Sequence, residues 1–405
     1  MGYQTRCRPE TRIMGWAADW YGEAEVLPDA EVAVIGAGPA GSALAASLGR
    51  LGHHAILIDR SRFPRDKPCG EGLMPSGVKV LMGLGIDLAE ADFPSLSGVR
   101  YRLPDGRQAQ GAFRSGRGHG VRRIRFDALL AGAAASTPEV ELHTGVTLDG
   151  IRTVRDAIVL STSRGDLRAR AAVAADGIRS TAARLLGWEG VARPPHRHAV
   201  LGHLDVPGHG VHEIVVTLLP GVEVYAAPSG RDELLVAVLG GRGSLRHRGA
   251  TVAETFDHLV GLAHPELGGA PHGRLRGAGP FRIRPPRVAE GRIFLLGDAA
   301  GFLDPLTGDA ISAALTAAAA LARLLDAGLE GAAPRYRRWI ASQWRRRWWV
   351  SRLALSLTRS ERRAGRALGG LAGRPSALEA LLEVNDGGRA LHRLGVRDWA
   401  ALAGL

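Results

Sequence analysis

Hydrophobic and polar positions change rhythm three times along the chain. Glu31-Val-Ala-Val-Ile35 is a short β-branched run without polar alternation, the pattern of a strand buried on both faces of a parallel sheet. It leads into a glycine turn, a small-residue helix predicted from Ser42 to Leu51, and a second apolar strand, Ala55-Ile-Leu-Ile58. A third buried strand is expected over Phe294–Leu296. Between these ends, His198–Val206, Val211–Leu219, Val222–Ala227 and Glu233–Leu239 are β-rich runs separated by Pro and Gly, which predicts an antiparallel sheet. The last third is helical. An Ala-rich helix is expected from Ala310 to Leu325, and between Arg335 and Trp349 the residues Tyr336, Trp339, Ile340, Trp344 and Trp348 recur at spacings of three and four, with arginines between them. The simpler reading of that stripe is a helix packed on the core with wet arginines. The alternative is an interfacial helix whose Trp and Arg side chains meet a lipid headgroup layer. Pro375-Ser376-Ala-Leu-Glu379 has the capping-box spacing that starts one more short helix.

Composition narrows the class. A length of 405 residues with 45% hydrophobic positions supports a large core and two or three domains. Cys7 and Cys69 are the only cysteines, so neither a disulfide framework nor a paired-cysteine zinc site is expected, and a reducing cytoplasm is the natural location. No metal site is expected. The longest charge-free apolar stretch, Ala310–Ala322, falls short of the roughly 18 residues of a spanning helix. This leaves a cytoplasmic protein, or one associated with a membrane surface. The net charge of +12 invites a nucleic-acid reading. However, only two of the 52 Lys and Arg residues are lysines, the arginines are spread along the whole chain, and no DNA- or RNA-binding motif accompanies them. A solvated basic surface with no nucleic-acid partner is expected. Oligomeric state is not addressed by any pattern.

The first chemical signal is Gly36-Ala-Gly38-Pro39-Ala40-Gly41, set between the first strand and the first helix. Gly36 serves the tight turn, Gly38 lets backbone approach a pyrophosphate, and Gly41 lets helix and strand pack closely, with the phosphate at the positive helix start. Asp59 ends the second strand eighteen residues past Gly41, where a carboxylate holds a ribose hydroxyl. The order strand, turn, helix, strand, acid indicates a dinucleotide-binding unit without saying which dinucleotide.

Three later segments do. Ala174-Ala-Asp176-Gly177-Ile-Arg179-Ser180 resembles a DG motif. Gly291-Arg-Ile-Phe-Leu-Leu-Gly297-Asp298-Ala-Ala300 resembles a GD motif. Val121-Arg-Arg123-Ile-Arg-Phe126-Asp127 resembles an Arg-x-x-Phe-Asp pattern. With the glycine turn, they make residues 31–350 similar to the FAD-dependent monooxygenase superfamily of the aromatic hydroxylase type, which includes geranylgeranyl reductase-like and halogenase-like flavoproteins. The resemblance implies an α/β fold: a Rossmann-type FAD-binding domain split by an antiparallel β-sheet substrate domain, plus C-terminal helices. The expected boundaries are 1–28 for an N-terminal extension, or a start misplaced upstream of Met14; 29–95, 115–190 and 285–330 for the FAD-binding domain; 96–114 and 191–284 for the substrate domain; and 331–405 for the helical region.

The resemblance also implies the site. FAD contacts fall to Gly36, Gly38, Pro39, Ala40, Gly41, Asp59, Arg60, Arg123, Gly297 and Asp298, with Asp176 on the flavin or nicotinamide side. The loop Gly301-Phe-Leu-Asp-Pro305-Leu-Thr-Gly308-Asp309 would aim a helix start at the flavin, favouring its reduced anion; Pro305, Gly308 and Asp309 join the contacts. An acid at Asp309 is an imperfect choice beside that anion, so its orientation matters. Phe63-Pro-Arg65-Asp-Lys67-Pro-Cys69-Gly70-Glu71-Gly72-Leu73 looks like the segment passing beside the flavin in the reductase-like branch. Its Arg65 and Gly70 are expected at the cofactor, and Arg65 and Lys67 would offset phosphate charge. Cys69, Tyr225 and Pro228 are the substrate-pocket candidates, Cys69 reading equally as a reactive thiol or a small packed hydrophobe. The stretch Val222–Pro228 lacks both tryptophans of the halogenase signature, so halogenation is not expected. The resemblance thus implies an FAD-dependent oxidoreductase using NADH or NADPH transiently. The first expectation is a monooxygenase hydroxylating or epoxidising an apolar or aromatic small molecule through a flavin hydroperoxide. The rivals are a geranylgeranyl reductase-like isoprenoid double-bond reductase and a flavin-binding protein without turnover. No catalytic acid or base is named by the sequence.

Overall fold

The computed structural model describes residues 29–245, 251–358 and 360–404; the expected extension over 1–28, with Cys7 and Met14, lies outside them. In chain order, β1 (Ala30–Ile35), α1 (Pro39–Arg50) and β2 (Ala55–Asp59) come first, then β3 (Gly98–Arg102) and β4 (Gln108–Ala112). α2 (Arg123–Ala135), β5 (Val140–Thr144) and β6 (Gly165–Ala174) follow. Next are β7 (Arg197–Asp205), β8 (Ile214–Leu219), β9 (Val222–Pro228), β10 (Glu233–Gly241), α3 (Val252–Ala263) and β11 (Ile293–Leu295). Then come α4 (Ala310–Asp326), α5 (Ala332–Thr358), α6 (Glu361–Gly373), α7 (Pro375–Asp386) and α8 (Val396–Ala403).

The apolar runs at the two ends of the motif region meet in the parallel part of one eight-stranded sheet, in the order β11-β6-β1-β2-β5, with Ile35 beside both Ala174 and Ile58. β1 is central, which is why it has no polar face. On one side Leu44, Leu48, Phe126, Leu315 and Leu321 from α1, α2 and α4 are fully buried. Truncating any of them to Ala costs about 2–5 kcal/mol. Ile56, Ile58, Leu160 and Trp188 cover the other face.

The second sheet has the order Arg276–Ala278, β7, β10, β9, β8, β3, β4, antiparallel except where β8 runs parallel to β3. Val224, Val236 and Val238 face Phe256 and Val260 of α3. Their alternates Tyr225, Ala237 and Leu239 face the C-terminal helices. Cover on both faces explains runs too apolar for simple alternation.

In α5, Tyr336 is fully buried and donates its hydroxyl to the Leu295 carbonyl at 2.9 Å, while Trp339 stacks on it at 6.4 Å. Trp344 lies against Gly301, where an added Cβ would come within 2.3 Å of the indole. Trp349 stays 53% exposed. No helix among the described residues is long and apolar enough to cross a membrane. The Pro375 helix exists, but not through the expected cap: Pro375 is its first helical residue after Arg374, and Ser376 caps nothing. Proline's fixed φ starts the helix without a cap, and Glu379 pairs with Arg114 at 2.6 Å instead. A reciprocal capping box, unforeseen in the sequence, starts α3 at Thr251 and Glu254.

Candidate cofactor and substrate site

The glycine turn is built by contact. Gly36 has φ +101°, and a Cβ there would stand 2.6 Å from the Ala175 carbonyl; at Gly41 it would stand 1.8 Å from the Gly36 carbonyl oxygen. Neither position admits a side chain. Gly38 differs: it is extended, at φ −76° and ψ −176°, and a Cβ would meet only the Arg65 Nη2, at 3.5 Å. One glycine keeps an approach open while two close the turn. Pro39 is the first residue of α1 and Ala40 lies in its first turn, which holds no acidic residue and no side-chain cap, so its N–H groups remain available to an anion. Asp59, 7% exposed, accepts the Ala37 N–H at 2.8 Å on Oδ2 and the Ser61 N–H at 2.8 Å on Oδ1. Arg60 beside it is exposed.

Cations gather at this mouth. Arg123 and Arg65 both donate to the fully buried Asp127, Arg123 twice at 2.6 Å and Arg65 at 2.7 Å; Arg65 also lies 3.6 Å from Asp59. Burial pushes the Lys67 ammonium below its usual range; Arg123 and then Arg65 push the same way, against Asp298 and Asp127. A Cβ on Gly177 would touch the Lys67 Nζ at 2.7 Å, and one on Gly297 would touch Ala40 at 3.0 Å. A Cβ on Gly36 would also stand 2.9 Å from the Asp176 Cα, so both acidic turns lie beside the glycine turn. Asp176 accepts the Ser180 hydroxyl at 2.5 Å and the Ala182 N–H at 3.1 Å, which starts the short helix Thr181–Leu185. Asp298 is half-buried, with no hydrogen bond to its carboxylate among the described residues. A glycine cradle, an unfilled helix start and three clustered cations fit the pyrophosphate of FAD, and the Asp59 and Asp298 carboxylates fit its hydroxyls.

The loop before α4 is braced from two sides. Asp304 pairs with the Arg197 Nε at 2.9 Å, and Arg197 also holds Glu223, all three buried. Burial raises the Asp304 carboxyl even beside that guanidinium. Pro305 begins a single 3₁₀ turn that ends at Gly308, φ +64°, a left-handed position suited to glycine. Asp309 turns its carboxylate to Arg347 of α5 at 2.7 Å rather than capping α4, which answers the question of its orientation.

Beyond that loop lies a narrow apolar cleft. The substrate sheet supplies Tyr101, Ile214 and Tyr225; Leu306–Gly308 form one end; Val350 of α5 and Leu382 and Asn385 of α7 close it. A Cβ on Gly72 would lie 2.8 Å from the Tyr225 hydroxyl, and one on Gly70 would lie 4.0 Å from the Tyr225 ring, so the Cys69–Gly72 segment abuts the cleft. Burial raises the Tyr225 phenol, with Cys69 and Glu71 adding to it, and pushes Tyr101 up to about 12. Cys69 does not line the cleft; burial raises its thiol, and its sulfur accepts the Glu71 N–H at 3.4 Å. Pro228 lies outside the lining, its carbonyl pressed on Gly120. Glu71 itself has φ +56°, held by the Arg123 N–H at 2.9 Å and His203 at 2.9 Å. A second cleft separates the Gly297–Gly301 turn from α5, with Asp298 and Arg347 on its walls. Sequence reasoning missed Arg347 and Asn385. The second had a signal: one amide among Leu378, Leu381 and Leu382 on an apolar helix face.

The profile of the family described as FAD binding domain matches residues 29–347. A menaquinone reductase of Mycobacterium tuberculosis is 30% identical over 314 residues, 73% of this chain and 76% of its own. A squalene monooxygenase of Mus musculus is 30% identical over 326 residues, 71% of this chain but 53% of its own. Among solved structures, a flavoprotein/dehydrogenase from Cytophaga hutchinsonii superposes with a TM-score of 0.76 at 19% identity, covering 88% of this chain and 93% of that one.

Proposed function

This chain belongs to the FAD binding domain family and is an FAD-dependent oxidoreductase, and from that premise we propose that it uses NADH or NADPH to reduce a lipid-soluble, isoprenoid-type substrate. One observation carries the reading. The apolar cleft opens directly onto Gly308 and onto Tyr225, which touches the Gly70–Gly72 segment, so an oily molecule there lies beside the residues expected at the flavin. Gly36, Gly38 and Gly41 with Arg65 would hold the pyrophosphate, Asp59 and Asp298 the hydroxyls, and Gly70 and Gly308 would flank the ring. When bound, FAD supplies two-electron chemistry between nicotinamide and substrate. The chain's own part is to position and to exclude water: Ile214, Leu306 and Leu382 form a dry wall, while the unfilled α4 start directs N–H groups toward negative charge on the loop side. No acid or base is assigned.

Reduction stands ahead of monooxygenation because the reductase relative is matched over three quarters of its length and the monooxygenase over about half. The likeness to a squalene monooxygenase keeps oxygenation as the second reading. Incubation of the FAD-loaded protein with NADPH and a prenylated quinol, anaerobically in one arm and under oxygen in the other, tests them. A product heavier by two hydrogens supports reduction. Oxygen uptake matched to a product heavier by one oxygen supports the second reading, and reduced flavin that neither substrate nor oxygen reoxidises removes both.

A further inference from the structure

Asn385 is the only side chain of α7 lining the cleft that can form hydrogen bonds, and it is 5% exposed. Its Nδ2 donates to the Thr307 carbonyl at 2.9 Å. A carbonyl oxygen only accepts, so this bond fixes which way the amide is turned. Its Oδ1 is left buried with no partner. On the sheet side of the same cleft, Tyr225 is 7% exposed, and its hydroxyl is likewise buried without a partner. Each unsatisfied buried group loses its bonds to water without replacement and destabilises the empty fold. Leu and Phe would have avoided both costs. A free acceptor and a free hydroxyl in a cleft walled mainly by apolar side chains such as Val99, Ile214, Leu306 and Leu382, with Tyr101 and Thr307 as its other polar members, suit a ligand that is apolar in body but not a pure hydrocarbon.

We propose that Asn385 is a specificity-determining residue: its Oδ1 accepts a hydrogen bond from a hydroxyl of the substrate, an oxygen of which meets the Tyr225 hydroxyl. The substrate class is a hydroxyl-bearing hydrophobe of phenol or quinol type, as opposed to a plain hydrocarbon chain. The inference rests on reading the cleft as the substrate site. Because the Asn385 Nδ2 holds Thr307, the same amide ties recognition to the loop that ends at Gly308.

Equilibrium dialysis of the FAD-loaded protein, without reductant, against 1-naphthol and 1-methylnaphthalene compares a hydroxyl with a methyl on one frame. Wild type sets the ratio of the two Kd values. Asn385→Leu is expected to lower the preference for naphthol about tenfold relative to wild type, the worth of one buried hydrogen bond, with methylnaphthalene binding kept. Asn385→Ala, which removes the acceptor without adding bulk, is expected to show the same loss and serves where the leucine variant does not retain FAD. A ratio unchanged within twofold in these variants overturns the role of Asn385 while leaving the cleft as the binding site. Failure of both probes to bind wild type overturns the cleft reading and the inference with it. Turnover is not involved, so the choice between reduction and oxygenation does not affect the result.

Discussion

Arg347 of α5 and Asp309 at the start of α4 form a two-pronged ion pair, Nε to Oδ2 at 2.7 Å and Nη2 to Oδ1 at 3.3 Å, with Asp309 3% exposed. The Thr307 hydroxyl donates to the same carboxylate at 2.7 Å. An acid that would have repelled a reduced flavin is thereby neutralised and turned toward a helix of the C-terminal region. Removing one partner of a buried pair leaves an uncompensated charge, which costs about 3–5 kcal/mol. Arg347→Met is therefore expected to destabilise the protein by about 3 kcal/mol in urea titration, and Asp309→Asn in the same chain to recover more than half of that loss. Equal stability of the single and double variants would show that the pair does not act as a unit.

Gly38 and Gly41 should separate cofactor binding from folding. At Gly41 a methyl would stand 1.8 Å from the Gly36 carbonyl, whereas at Gly38 it would meet only the end of a flexible arginine at 3.5 Å. Gly41→Ala is expected to lower the melting temperature of the FAD-free protein. Gly38→Ala should leave it nearly unchanged but weaken FAD at least about tenfold, because the methyl takes the approach of the pyrophosphate. Fluorescence titration with FAD and thermal melts of both variants check the contrast. Normal FAD affinity in Gly38→Ala would move the pyrophosphate elsewhere.

The cofactor half was readable because its signals are local. Gly36–Gly41 lie within six residues, Asp59 ends the strand after them, and β-branched runs mark the parallel strands. Asp127 shows where local reading falls short: the Arg-x-x-Phe-Asp pattern names it without a partner, whereas it is fully buried and accepts from both Arg65 and Arg123, a junction that needs residues 62 positions apart. The cleft was less legible for the same reason. Asn385 and Thr307 are 78 positions apart, and no periodicity along α7 states which face of the substrate sheet it will cover. Nor could sequence orient Asp309, since the preference of a carboxylate for a helix start competes with a guanidinium 38 residues later, and the closer charge wins.

Lys67 offers a test in the opposite direction from most charge deletions. Burial and then Arg123 hold its ammonium below the usual lysine range, so the FAD-free fold bears its charge at a cost. Lys67→Met is expected to keep or raise the melting temperature without FAD while weakening FAD binding about tenfold, because one of the cations facing the glycine turn is gone. Loss of stability with unaltered FAD affinity would assign Lys67 to structure alone.

His264 sets an acid limit on the substrate half. It is 2% exposed, its Nδ1 accepts from the Arg102 guanidinium at 2.6 Å, and its Nε2 lies 3.3 Å from the Thr217 hydroxyl. Burial, and then Arg102, hold its pKa down to about 4, with Glu266 opposing. Above about pH 6.5 the ring is neutral in folded and unfolded chains alike and adds no pH dependence. As pH falls below that, the unfolded chain takes up a proton that the folded ring refuses until about pH 4, so stability drops across this window. The full loss is about 3 kcal/mol, approached at about 1.4 kcal/mol per pH unit. Other groups titrate in the same range, so the observable is a difference. His264→Gln, which keeps an acceptor for Arg102 and a donor for Thr217, should show a shallower fall in urea-derived stability between about pH 7.5 and about pH 4.5, on the order of one proton less in slope. Parallel profiles for wild type and variant would mean that the His264 pKa is the same in folded and unfolded chains, with Glu266 offsetting burial and Arg102.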